Sequence, residues 1–74
     1  MDVKQAVKLA SDYLRSLPLI GDITDIRLEG VQFSEKRKQW FITLSFSRFP
    51  DREFKRVDVD AKSGEIKKMA LVVL

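Results

Sequence analysis

Apolar residues recur every three or four positions at the start of the chain, and the period changes to two from Ile23 onward. Val3, Ala6, Val7, Ala10, Leu14 and Leu17 fall on one stripe of a helix, with Lys4, Lys8, Ser11, Asp12 and Arg15 on its other faces. Asp2 can cap the first turn, and Gln5, three residues on, can reach back as in a capping box. Pro18 disfavours helical backbone at the residue before it, so the pattern predicts a helix over residues 3 to 16. The short segment Pro-Leu-Ile-Gly-Asp at 18 to 22 then reads as a loop.

Beyond that loop the alternation predicts strands. Ile26 and Leu28 share one parity and Val31 and Phe33 the other, so one residue must be absorbed between the pairs, with Gly30 as the bulge position. Trp40, Ile42, Leu44 and Phe46 alternate with Phe41, Thr43, Ser45 and Ser47 in the clearest half-buried strand of the chain. A reversal centred on Lys36 and Arg37 sets Phe33 across from Trp40 and Val31 across from Ile42. After the bulge it sets Leu28 across from Leu44 and Ile26 across from Phe46. All these pairs join apolar residues, and a slip of one residue would turn one partner of each away. A second reversal centred on Pro50 and Asp51 sets Leu44 across from Val57 and Ile42 across from Val59. The third, Ala61-Lys-Ser-Gly64, gives Gly64 the left-handed position. Ile66 and Met69 differ in parity, which predicts a further irregularity near Lys67 and Lys68. The expected fold is α+β: an N-terminal helix packed on a four-stranded antiparallel meander, a two-layer sandwich forming a single domain over residues 1–74.

Composition narrows the chemistry. At 74 residues, a domain buries only about 60% of the surface its unfolded chain exposes. The chain has no Cys and no His, so it lacks disulfides, thiolate metal ligands and the commonest general acid/base and metal ligand. No catalytic triad, phosphate-binding glycine loop or zinc spacing is present, and no cofactor is implied. Asp58 and Asp60, two apart on one strand, read as solvent-facing alternation, and Asp22 and Asp25 as loop or capping residues. The expectation is a protein that is not an enzyme. The apolar run Met69 to Leu74 is far too short to span a bilayer, and the N-terminus does not read as a signal peptide.

The segment Val59-Asp60-Ala61-Lys62-Ser63-Gly64-Glu65-Ile66, following an amphipathic helix and a curved antiparallel sheet, resembles the PepSY family, whose members carry a comparable Val-Asp-Ala turn closed by Gly-Glu and Ile or Val. That family is similar in layout to cystatin-like folds and includes propeptide segments of secreted metallopeptidases, proposed to inhibit or chaperone them. The resemblance implies a protein-binding or inhibitory module. Read as complete, the chain is expected in the cytoplasm; read as an excised PepSY domain, it is expected outside it.

Two surfaces are candidates for a protein partner. The first is the sheet face turned away from the helix, where Phe41, Thr43, Ser45, Phe54 and Arg56 set two aromatics among hydroxyls, with Ser47 expected across from Phe54 and Ser45 across from Arg56. The second is the last strand, where Leu71, Val72 and Val73 belong to an uncharged, β-prone run at a sheet edge that invites a second strand or a second copy of the chain. The alternative is a small basic nucleic-acid-associated protein. Residues 35 to 56 carry seven Lys/Arg against three Asp/Glu, within a net charge of +3. However, Lys36, Arg37 and Lys38 lie at one end of the second strand and Arg48 and Arg52 at the other, roughly 33 Å apart at about 3.3 Å per residue. That separation argues against one compact phosphate-binding patch, so nucleic acid is the less favoured partner.

Overall fold

The computed structural model describes residues 1–17, 24–48 and 51–72, apart from the side chains at 48 and 71. Helix α1 spans Val3–Ser16, followed by strands β1 (Thr24–Ser34), β2 (Gln39–Arg48), β3 (Asp51–Asp60) and β4 (Ile66–Leu71). The strands form one antiparallel sheet in the order β1-β2-β3-β4, so β1 and β4 are its edges.

The helix ends follow from local chemistry. The Asp2 carboxylate accepts the Gln5 N–H at 2.9 Å, and the Asp2 N–H donates to Gln5 Oε1 at 3.0 Å, the reciprocal bonding of a capping box. Such a cap is worth about 1 kcal/mol. At the other end Leu17 takes an extended conformation, φ −72° and ψ 141°, as the residue before a proline should. Ala6, Ala10 and Leu14 are buried, with Val7, Tyr13 and Leu17 partly so. The contact stripe is therefore rotated from the expected one toward Tyr13, and Val3 stays exposed. Two alanines on the buried stripe let the helix axis approach the sheet, where it lies mainly over β2 and β3.

Ile42, Leu44 and Phe46 of β2 and Val57 and Val59 of β3 complete the core, with Ile26, Trp40, Ile66 and Met69 packed around it. The β1–β2 hairpin has the expected register from Phe33↔Trp40 through Val31↔Ile42 to Leu28↔Leu44. The extra residue at the bulge is Glu29, not Gly30, which pairs with Thr43. A second shift lies between Thr24 and Arg27, where Asp25 adopts φ 54°, so the expected Ile26–Phe46 pair gives way to two β1 residues across from one on β2.

The β2–β3 hairpin is displaced by two residues from the expected register. Ile42 pairs with Val57 and Trp40 with Val59, while Leu44 faces Lys55 and Phe46 faces Glu53. A shift of two leaves every side chain on its expected face, which is why burial alone did not discriminate between the two registers. The ladder runs to Arg48↔Asp51, so Asp51 is paired and not central to the reversal, and Pro50 lies outside the described residues. In β4, Asp58↔Lys68 and Val59↔Ile66 leave Lys67 as the extra residue, the irregularity expected there. The β3–β4 turn closes with Gly64 at φ 80°, and its amide donates to the Asp60 carbonyl at 2.9 Å.

Candidate binding surface

The register places Phe41, Thr43, Ser45, Phe54 and Arg56 together on the face away from the helix, with Thr43 across from Arg56 and Ser45 across from Phe54. The expected Ser47–Phe54 and Ser45–Arg56 pairs are thus both displaced by the two-residue shift; Ser47 faces Arg52. This face is also less open than the alternation implies. Ser45 is fully buried, because Glu29 and Arg52 close over it. The Ser45 hydroxyl donates to Glu29 Oε1 at 2.9 Å and accepts from Arg52 Nε at 2.9 Å. Arg52 then reaches across the sheet to Asp25, donating to its carboxylate at 3.1 Å and to its carbonyl at 2.6 Å. Three strands are stitched together by this chain, and the β1 bulges supply two of its members.

The Asp25 carboxyl is held below its ordinary value, chiefly by the hydrogen bond from Arg27 and further by Arg52, against some desolvation. Asp60 is lowered too, first by the Ser63 amide and then by that of Lys62, each 2.9 Å from Oδ1. Both acids are therefore committed to turns and bulges.

Arg56 lies 4.5 Å above the centre of the Phe41 ring and donates from Nε and Nη2 to the two oxygens of Asp58 at 2.9 and 3.1 Å. Asp58 is only 1% exposed, which corrects the expectation that it points into solvent: Arg56 and Phe41 sit beside it on the same face. Gly30, next to this group, leaves a shallow dent of about 300 Å³ lined by Gln32, Phe41, Thr43 and Arg56. Several of the basic residues counted for nucleic-acid binding are paired locally: Lys38 with Glu35, Arg52 with Asp25 and Arg56 with Asp58.

The helix side holds an apolar feature that the alternation did not predict. Leu28 faces inward on β1 but is 50% exposed, because the helix lies over β2 and β3. With Val3, Lys4 and Val7 it lines a groove of about 230 Å³. Among the described residues, no group of three or more acids sits together to hold a metal, and no helix is long and apolar enough to cross a membrane.

The two sheet edges differ. Edge β1 is broken by two bulges, at Asp25 and Glu29, which kink an edge and blunt its ability to template another strand. Edge β4 has its bulge at Lys67 and is regular thereafter. The Val72 N–H donates to the Phe54 carbonyl at 3.0 Å, which makes 72/54, and by alternation 70/56 and 68/58, the hydrogen-bonded pairs of the β3–β4 ladder. Met69 and Leu71 consequently direct both backbone N–H and C=O groups away from β3, toward the free edge. Val72 is half-buried, and Val73 lies outside the described residues. Asp22 also lies outside them.

Compared with known proteins, the chain matches no family model, no curated protein and no solved structure.

Proposed function

We propose that the chain is a non-enzymatic protein-binding or inhibitory module with a PepSY-like layout, and that it engages an extended segment of a protein partner along the free edge of β4. The observation that carries this reading is the contrast between the edges: β1 is bulged twice, whereas Met69 and Leu71 on β4 turn outward, from an uncharged stretch, four backbone groups that have no partner among the described residues. Strand addition draws affinity from main-chain hydrogen bonds of this kind. The outer sheet face supports a secondary role, since Ser45 is sealed and Arg56 is already engaged by Asp58 and Phe41, leaving the Gly30 dent as its open part. The PepSY-like layout rests on the element order and on the Asp60-centred turn closed by Gly64.

The test is a phage-displayed library of extended peptides selected on the folded chain and assayed against Leu71→Pro. Proline there removes an outward N–H without removing a bond to β3, so the fold survives while strand addition does not. Peptides whose binding falls at least tenfold with Leu71→Pro, and is insensitive to salt, support the reading. Binding lost instead with Phe41→Ala or Arg56→Ala would move the site to the sheet face. A short duplex DNA that binds with a steep salt dependence would favour the nucleic-acid alternative.

A further inference from the structure

We infer that the strand accepted by β4 is β4 of a second copy of this chain, paired antiparallel about a two-fold axis through Ala70. The inference rests on the edge-binding reading and names its partner.

The argument is one of self-complementarity. The outward groups belong to Met69 and Leu71, two residues apart, with Ala70 between them bonded to β3. An antiparallel copy centred on Ala70 sets Met69 across from Leu71 of the second copy and Leu71 across from its Met69. Each pair exchanges two N–H···O=C bonds, so all four outward groups on each copy find partners at once. Ala70 falls across from itself at a position without hydrogen bonds, where Cα atoms approach to about 4.5 Å and a small side chain fits.

Charge selects the same arrangement. Lys67 and Lys68 lie at one end of the strip, and residues 69 to 74 are uncharged. In a parallel pairing Lys68 would stand beside Lys68. In the antiparallel pairing it stands across from Val72, and the two Lys68 residues are four positions apart along the strands. That is about 13 Å at 3.3 Å per residue, beyond the screening length of about 8 Å at physiological salt. An axis shifted by one position toward the lysines, centred on Met69, would set the unpaired Lys67 across from Leu71, and the bulge prevents regular pairing there. The Lys67 bulge therefore ends the pairing strip on one side and excludes the register shifted toward the lysines. The product is one continuous eight-stranded sheet with both helices on the same face.

Ala70 facing itself gives a direct test. Ala70→Asp and Ala70→Lys each place like charges across the axis, whereas a mixture of the two places opposite charges there. Light scattering over a concentration series should show the wild type rising toward twice the 8.6 kDa monomer mass, each variant alone remaining at monomer mass, and the equimolar mixture regaining the doubled mass. Circular dichroism confirms that each variant is folded. Wild type that stays monomeric throughout, or variants that each dimerise as the wild type does, would overturn the inference. If the wild type is monomeric yet binds selected peptides through a Leu71→Pro-sensitive edge, the second-copy inference fails and the edge reading stands. If no edge binding of either kind is found, both fall.

Discussion

Replacing Arg56 by Met tests the outer face most sharply, because Met retains much of the aliphatic cover over Phe41 while removing the charge that compensates Asp58. Asp58 is 1% exposed and its two oxygens take hydrogen bonds from Arg56 at 2.9 and 3.1 Å. Breaking a buried ion pair from one side costs about 3–5 kcal/mol. The Arg56 side chain is 36% exposed, so solvent screening reduces the cost to about 2–3 kcal/mol. For a 74-residue domain holding roughly 0.05–0.15 kcal/mol per residue, that is a large share of the total. Asp58→Asn should cost less, about 1 kcal/mol, because the freed guanidinium can rehydrate and still stack on Phe41. The double variant Arg56→Met/Asp58→Asn should be more stable than Arg56→Met alone, since an amide tolerates burial better than an uncompensated carboxylate. Urea denaturation followed by fluorescence of Trp40, the only tryptophan, measures all three. With a slope of about 1 kcal/mol per molar urea, Arg56→Met lowers the midpoint by about 2–3 M. The reasoning is refuted if Arg56→Met costs no more than Asp58→Asn, or if the double variant is the least stable.

Acid should destabilise the fold through Asp60 and Asp25. Both carboxyls sit below the ordinary 3.8 when folded, so the native chain binds fewer protons than the unfolded one; their contribution is complete above about pH 5 and is lost as pH falls through the folded values. Asp60→Asn, which can still accept the Ser63 and Lys62 amides, should flatten the fall of the urea midpoint below pH 4, and an unchanged slope would contradict this assignment. Gly64→Ala should cost about 1–2 kcal/mol from the left-handed backbone alone, since φ is 80°. Its added Cβ would also come within 3.1 Å of Leu9 Cδ1 and 2.8 Å of the mobile end of Met1. Gly64→Asn should recover part of the loss, and thermal melts of the two variants provide the comparison.

The fold was readable from the chain because its signals are local and periodic. The helix from Val3 to Ser16, its capping box, the first hairpin's register from Phe33 to Leu28 and the irregularity at Lys67 all follow from spacing and end chemistry, whereas the bulge at Glu29 and the loss of the Ile26–Phe46 pair do not. The second hairpin's register was not readable, since a two-residue shift keeps Ile42, Leu44, Val57 and Val59 on the buried face and exchanges only their partners. Asp58 was misplaced for a related reason. Alternation assigns a face but not its exposure, and Arg56 and Phe41 cover a position that a bare sheet would open to water. Ser45 is sealed by groups that are scattered along the chain: Glu29 is 16 residues from it and Asp25 is 27 residues from Arg52, and no local pattern links them. The half-exposed Leu28 depends on where the helix axis lies across the strands, which its periodicity does not encode. The free groups of β4 were legible as an uncharged edge, but which residues face outward required the Val72–Phe54 bond.

The most direct test of edge recognition is residue-resolved amide hydrogen exchange along β4 as the protein concentration is raised. In dilute solution Ala70 and Val72 should exchange slowly, being bonded to β3, while Met69 and Leu71 exchange fast. At high concentration Met69 and Leu71 should become protected, and Ala70→Lys should abolish that gain. Fast exchange at Met69 and Leu71 at every concentration and with every selected peptide, or new protection confined to Phe41, Thr43 and Arg56, would contradict the account.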